Sequence, residues 1–330
     1  ALTLAKESHA LFLLLGCDRG GCHTPSVLLR PTQVIGCCVA AKEAQMNSND
    51  TSLENDRMKS YKVAADISKS RMAKEAPLSA AALEEIEASD IVVVRDIYDH
   101  VEQVLEALQV PFQLVRIDQF DSVTLRPEQL LIINCPGNIS QLAIENVRKF
   151  VSDGGSLFTT DWALRNVVEP AFPKIIEYNN KATGDDVVRI EIVDPTSPYL
   201  SGVLDDEDDP QWWLEGSSYP IRILDTERVK VLIQSKELGT KYGEEPVAVV
   251  FSYGKGEVFH MISHYYLQRT EFRSDRHQSA AASYADEKGV EVSYETSLLM
   301  TDLKLGDVES AESSTRFIAN ILAEKKMKQK

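Results

Sequence analysis

Two junctions where a buried strand gives way to a helix hold the residue types able to do chemistry. The first is Cys135-Pro136-Gly137, with Asn138 next to it, directly after the apolar run Leu130–Ile133. The second is Asp161-Trp162, directly after Ser156–Thr160. A thiol, a carboxylate and an indole at successive strand ends suit a small polar ligand. The carboxylate can act as acid or base, and the indole can wall a pocket. Each residue also has a plainer role. Asp161 can cap the helix that follows, and Cys135 can be a small buried hydrophobe.

Other reactive residue types fall into weaker patterns. Cys17, Cys22, Cys37 and Cys38 are spaced C-x4-C-x14-C-C with His23 beside them, which invites a zinc reading. Structural zinc sites show paired knuckles such as C-x2-C, and none is present, so free thiols in a reducing compartment are favoured. Asp205 to Asp209 (DDEDD) lacks the Gly-spaced oxygen ligands of a calcium loop and reads as a solvated acidic segment. Trp212-Trp213-Leu214 reads as core before it reads as a stacking platform. No cofactor and no metal ion is expected from these patterns.

The elements that must position Cys135 and Asp161 form a strand–helix–strand unit. Leu130–Ile133 is unbroken and apolar, as in a strand buried on both faces. Residues 139–151 carry Leu142, Ile144, Val147, Phe150 and Val151 at helical spacing, and Gly154-Gly155 stops that helix before the next strand. Upstream, residues 91–94 and 112–117 read as strands. Residues 100–108 between them form a helix with Val101, Val104, Leu105 and Leu108 on one face. Strands alternating with helices make a doubly wound, mostly parallel α/β sheet, and such sheets hold ligands at the carboxyl ends of their strands.

Flanking segments complete the organisation. Residues 53–72 read as a surface helix, and Ser79 is placed to cap a second one. Residues 187–193 alternate apolar and polar, as in one half-exposed strand. Residues 219–224, 229–234 and 246–253 are further strands, and Gly254-Lys255-Gly256 turns the last into a β-hairpin with 257–263. Residues 313–326 close the chain as a helix burying Phe317, Ile318, Ile321 and Leu322. Residues 269–307 are polar and irregular, so an inserted loop or lid is expected. The expected division is an N-terminal extension (1–50), a helical lead-in (51–89) and an α/β domain (90–330).

Composition bounds the partners. A net charge of −16 argues against nucleic acid or an anionic membrane surface, both of which need a basic face. No apolar run is long enough for a membrane span. Residues 11–17 (LFLLLGC) resemble the core of a lipoprotein signal but lack a basic cluster before them. A cytoplasmic setting is expected, with export or lipid anchoring as the alternative.

Four stretches together resemble the class I glutamine amidotransferase-like superfamily, and especially its trehalose-utilisation (ThuA-like) branch. They are LLIINCPG, FVSDGGSLFTTDW, IEIVDPTSPYLSGV with the WW and YP segments after it, and PVAVVFSYGKGEVFHMISH. The resemblance covers roughly residues 90–267 and implies a flavodoxin-like sheet. It also implies a strained nucleophile elbow, Gly-x-Cys-x-Gly, at the position that reads Thr159-Thr160-Asp161-Trp162-Ala163 here, without Cys or flanking Gly. The family's His-x-Glu falls on His264-Tyr265-Tyr266, keeping the imidazole and losing the carboxylate. Cys135 stands one strand too early to replace the nucleophile, so amidotransferase chemistry is not expected.

Two function classes follow. One is a catalytically degenerate module that binds a small polar ligand or a protein partner near Cys135, Pro136, Gly137, Asn138, Trp162 and Tyr265. The other is a hydrolase or related enzyme on a small polar, possibly carbohydrate-derived substrate, with Asp161 and His264 converging as acid and base.

Overall fold

β-Branched and leucine-rich runs build the centre of the sheet. In this computed structural model the structure describes residues 57–265 and 269–329. Helix α1 (57–75) leads by a one-residue break into α2 (Pro77–Glu84). There follow β1 (Ile91–Arg95), α3 (Val101–Ala107), β2 (Gln113–Arg116), β3 (Leu130–Ile133), α4 (Gln141–Asp153) and β4 (Ser156–Thr160). A π-helical turn, Leu164–Val168, runs into the short α5 (Glu169–Ala171). Short strands β5 (Ile176–Tyr178), β6 (Asp186–Arg189), β7 (Glu191–Ile192), β8 (Gln211–Leu214) and β9 (Ile221–Ile223) come next. Then come β10 (Val229–Gln234), α6 (Lys236–Tyr242), β11 (Pro246–Tyr253) and β12 (Gly256–Met261). Three short helices, α7 (Asp275–Gln278), α8 (Ala281–Glu287) and α9 (Tyr294–Leu299), precede the long α10 (Leu305–Met327).

The main sheet has eight strands in the order β2-β1-β3-β4-β12-β11-β10-β7. Its first five are parallel throughout. That order is the flavodoxin-like arrangement, with a helix between successive strands as parallel pairing demands. The β11–β12 hairpin and β10 extend it antiparallel, as the sequence predicts for the Gly254-Lys255-Gly256 turn. Alternate strand residues feed two cores. Val93, Ile132, Phe158 and Phe259 pack with α1, α2, α3 and α10, whereas Val92, Leu131, Leu157 and Val258 pack with α4 and the 164–172 segment.

Several elements depart from the sequence reading, each for a packing reason. The first helix is not a surface helix, because Tyr61, Val63, Ala64, Ile67 and Met72 are buried. The second begins at Pro77, whose fixed φ suits the first helical position, so Ser79 lies inside the first turn instead of capping. The expected strand 187–193 breaks at Ile190: β6 pairs with β8, while β7 joins the edge of the main sheet. The stretch 269–307 is helical, with Ala281, Tyr284, Ala285 and Met300 packing on Val63 and Ile67 of α1. The acidic segment 205–209 is not simply solvated, since Asp205 and Asp208 both pair with Lys288. Trp212 and Trp213 are core, as expected. Among the described residues no helix is long and apolar enough to cross a membrane. The cysteines at 17–38 and the 11–17 segment lie outside the described residues.

Candidate functional site

Register decides what meets at the strand ends. β3 and β4 pair Ile133 with Thr159, so two further residues along each chain bring Cys135 level with Asp161. β12 pairs Met261 with Thr160, and the chain beyond it brings His264 to the same edge. Neighbouring parallel strands lie about 4.8 Å apart, so side chains leaving adjacent ends meet readily. The Cys135 sulfur, an Asp161 carboxylate oxygen and a His264 ring nitrogen all lie within 4.8 Å of one another, and all three residues are buried. Cys135 is thus not too early in the fold to join the site.

Asp161 occupies the tight turn after β4 with φ +42°, a left-handed conformation that Asp adopts more readily than most residues. Its backbone N–H donates to the Met261 carbonyl at 2.8 Å. Its side chain does not cap the next helix. One carboxylate oxygen accepts the Ser218 hydroxyl at 3.0 Å and the other accepts the Tyr219 N–H at 2.8 Å. The carboxylate therefore ties the segment after β8 across the strand ends. Trp162 adds to that tie, its indole N–H donating to the Ser217 carbonyl at 2.7 Å. Its ring stacks on Tyr219 with centroids 5.6 Å apart, and Tyr219 stacks in turn on Tyr178 at 4.0 Å.

His264 lies between two carboxylates. Nε2 is 3.3 Å from Asp161 Oδ2 and Nδ1 is 2.8 Å from Glu215 Oε2. Neither carboxylate stands in line with the ring N–H, so these are ion-pair contacts and not well-formed hydrogen bonds. The side chains of Asp161 and His264 are each 2% exposed, whereas Glu215 is 33% exposed and links the imidazole to solvent. Burial disfavours the imidazolium, but Asp161, Cys135 and Glu215 outweigh it and hold His264 well above its ordinary value. Burial pushes the Cys135 thiol up to about 11 against the lowering effect of His264. The site at neutral pH is an imidazolium flanked by carboxylates beside a neutral thiol. It contains no free base next to a thiolate, which is what nucleophilic cysteine chemistry requires.

The remaining expected residues divide. Pro136, in a cis peptide with Cys135, and Asn138 each accept a hydrogen bond from the Asn166 amide. Gly137 has φ +71°, and a Cβ there would stand 3.0 Å from the Ala163 Cβ, so the turn packs against the segment after β4. Asp96 accepts the Gly137 and Asn138 N–H groups. Tyr265 stands apart: its ring is fully buried against Phe158, its N–H donates to Asp99, and its carbonyl accepts the Tyr61 hydroxyl. It belongs to the core and not to the ligand-facing edge. Glu215 carries no sequence signal for this role, because it lies 49 residues before the histidine it faces. It replaces, from another element, the carboxylate that the His-x-Glu comparison finds missing.

No protein-family model and no curated protein matches this chain. Among solved structures, a GMP synthase-like protein from Thermoplasma acidophilum aligns at TM-score 0.40 and 12% identity, over 55% of this chain and 86% of that one. A ThuA-like protein from Bacteroides uniformis aligns at TM-score 0.36 and 14% identity, over 52% and 80%. A β-galactosidase from Bacillus circulans sp. alkalophilus aligns at TM-score 0.39 and 14% identity, over 67% of this chain but only 34% of the galactosidase. The fold assignment stands on the strand order itself.

Proposed function

We propose that this chain is a glutamine amidotransferase-like domain without amidotransferase chemistry, one that binds a small polar ligand over the carboxyl ends of β3, β4 and β12. The observation that carries the reading is the occupant of the strained turn. A carboxylate, with both oxygens bonded to Ser218 and Tyr219, stands where the resemblance places a nucleophile. The remaining thiol is buried and protonated, so neither glutamine hydrolysis nor acyl transfer has an activated nucleophile. The ligand face is made by Trp162, Glu215 and the Pro136–Asn138 turn, the parts of this edge that reach solvent.

A thermal-shift screen of sugars, sugar acids, amino acids and nucleotides tests this, run on the wild type and on Asp161→Ala. A ligand of the native state raises its melting temperature by mass action. The expected result is a hit lost in Asp161→Ala, with no ammonia released from glutamine. Ammonia release by the wild type sinks the reading. Absence of any hit, with the variant merely less stable, turns the search to protein partners.

One observation favours a second reading, a hydrolase on a small polar substrate: the Asp161–His264–Glu215 row, in which an imidazole shares protons with carboxylates on both sides. Turnover of chromogenic glycosides and esters, abolished by His264→Gln while ligand binding persists, would establish it.

A further inference from the structure

We propose that Cys135, Asp161 and His264 form a binding site for a borderline-soft divalent cation of the zinc class, with Glu215 as the outer partner of the histidine. This goes beyond the ligand reading and is tested without any organic ligand.

The donor set comes first. A thiol, an imidazole and a carboxylate are the three side-chain types that zinc accepts, and three protein ligands with one open position is the usual composition of a reactive zinc centre. All three donor atoms converge within 4.8 Å. Two donors bound at about 2.0 Å in tetrahedral geometry stand about 3.3 Å apart, and Asp161 Oδ2 lies 3.3 Å from His264 Nε2. The second observation is the state of the imidazole. His264 is buried, yet neither ring nitrogen meets an aligned hydrogen-bond partner among the described residues. A buried, unaligned imidazole is costly unless something else takes up its lone pair.

Outer contacts then fit the same assignment. Histidine ligands commonly give their second ring N–H to a carboxylate, which fixes the tautomer. Glu215 lies 2.8 Å from Nδ1, on the ring side away from Asp161. The Ser218 hydroxyl and Tyr219 N–H hold the Asp161 carboxylate in orientation. Charge balance points the same way, because one imidazole faces two carboxylates. On binding, the cation replaces the Cys135 thiol proton and the proton on His264 Nε2. Both protons leave to solvent, and the Nδ1 proton stays on the side of Glu215.

Cobalt(II) reports the sulfur ligand directly through thiolate-to-metal charge-transfer absorption in the near ultraviolet. The full chain carries four other cysteines, so the titration uses a variant with Cys17, Cys22, Cys37 and Cys38 all replaced by Ser. The expected result is one equivalent of cobalt with that absorption, abolished by adding Cys135→Ser and competed away by zinc. Glu215→Gln is expected to keep the absorption and weaken binding roughly 10- to 100-fold. A folded four-serine variant with no charge-transfer band, or a band that survives Cys135→Ser, overturns the proposal. If the four-serine variant does not fold, native mass spectrometry of wild type against Cys135→Ser decides: loss of one zinc supports the site, and equal zinc content overturns it.

Discussion

Two clusters of buried ionisable groups sit on opposite terms with the fold. The first lies along α10. There Arg71 pairs with Glu75, Asp205 and Glu312, Arg316 pairs with Glu75, and Arg276 pairs with Glu309 and Glu287. Glu312 also accepts the hydroxyls of Ser68 and Tyr284. Every acid named there has an arginine or lysine against it. The second cluster is Cys135, Asp161, His264 and Glu215, where two carboxylates share one imidazole, a thiol stays protonated and a backbone turn is strained. Both places bury charge, but the matching of partners differs. A paired cluster holds elements together. An incompletely matched cluster with local strain at a sheet's ligand-binding edge is where a fold keeps capacity for something not its own.

The largest expected effect breaks the paired side. Arg71→Ala strands Glu312 in the interior and should lower the unfolding free energy by roughly 3–5 kcal/mol in urea titration; a loss below about 1 kcal/mol would deny the cluster its structural role. Next is a pH effect. Burial raises Glu312 from its ordinary 4.5 to about 7, against the lowering by Arg71, Arg316, Ser68 and Lys288. The folded chain therefore keeps a proton that the unfolded chain has already released. This contribution is fullest below pH 4.5 and is lost as pH rises to about 7, a change on the order of 3 kcal/mol. Glu312→Gln should flatten that slope in denaturation curves collected across the window.

Smaller effects sharpen the other side. Asp161→Ala frees the Ser218 hydroxyl and the Tyr219 N–H and should cost on the order of 2 kcal/mol. Asp161→Gly loses the same bonds but relieves the φ of +42°. It should therefore be more stable than the alanine variant by roughly 1 kcal/mol; equal stabilities would mean the turn carries no strain. Trp162→Phe keeps the stack on Tyr219 and deletes only the bond to Ser217. Its expected cost is about 0.5–1 kcal/mol by calorimetry.

What is legible in the sequence follows from which interactions are local. Leu130–Ile133, Ser156–Thr160, Val229–Gln234 and Pro246–Tyr253 appear at the boundaries their hydrophobic runs indicate, because a strand buried on both faces is spelled by its own residues. α10 begins eight residues earlier than its apolar stripe suggests, at Leu305. Its first turns bury Glu309, Glu312 and Arg316, and no hydrophobic period marks a buried face whose partners are charges on α1 and α7. The helices between 275 and 299 are hidden for a related reason, since their cover is α1, more than 200 residues away.

The amino-acid sequence by itself determined the parallel α/β architecture, the position of its ligand-binding edge, and the presence there of Asp161 and His264. Only the tertiary structure decided that Cys135 joins them, that Glu215 faces the far side of the imidazole, that Tyr265 turns into the core, and that Asp161 anchors the segment after β8. The physical reason is register. Which residues of β3, β4 and β12 stand level is set by hydrogen bonds between strands far apart in the chain. A shift of one residue in that pairing would send the Cys135 side chain to the opposite face of the sheet.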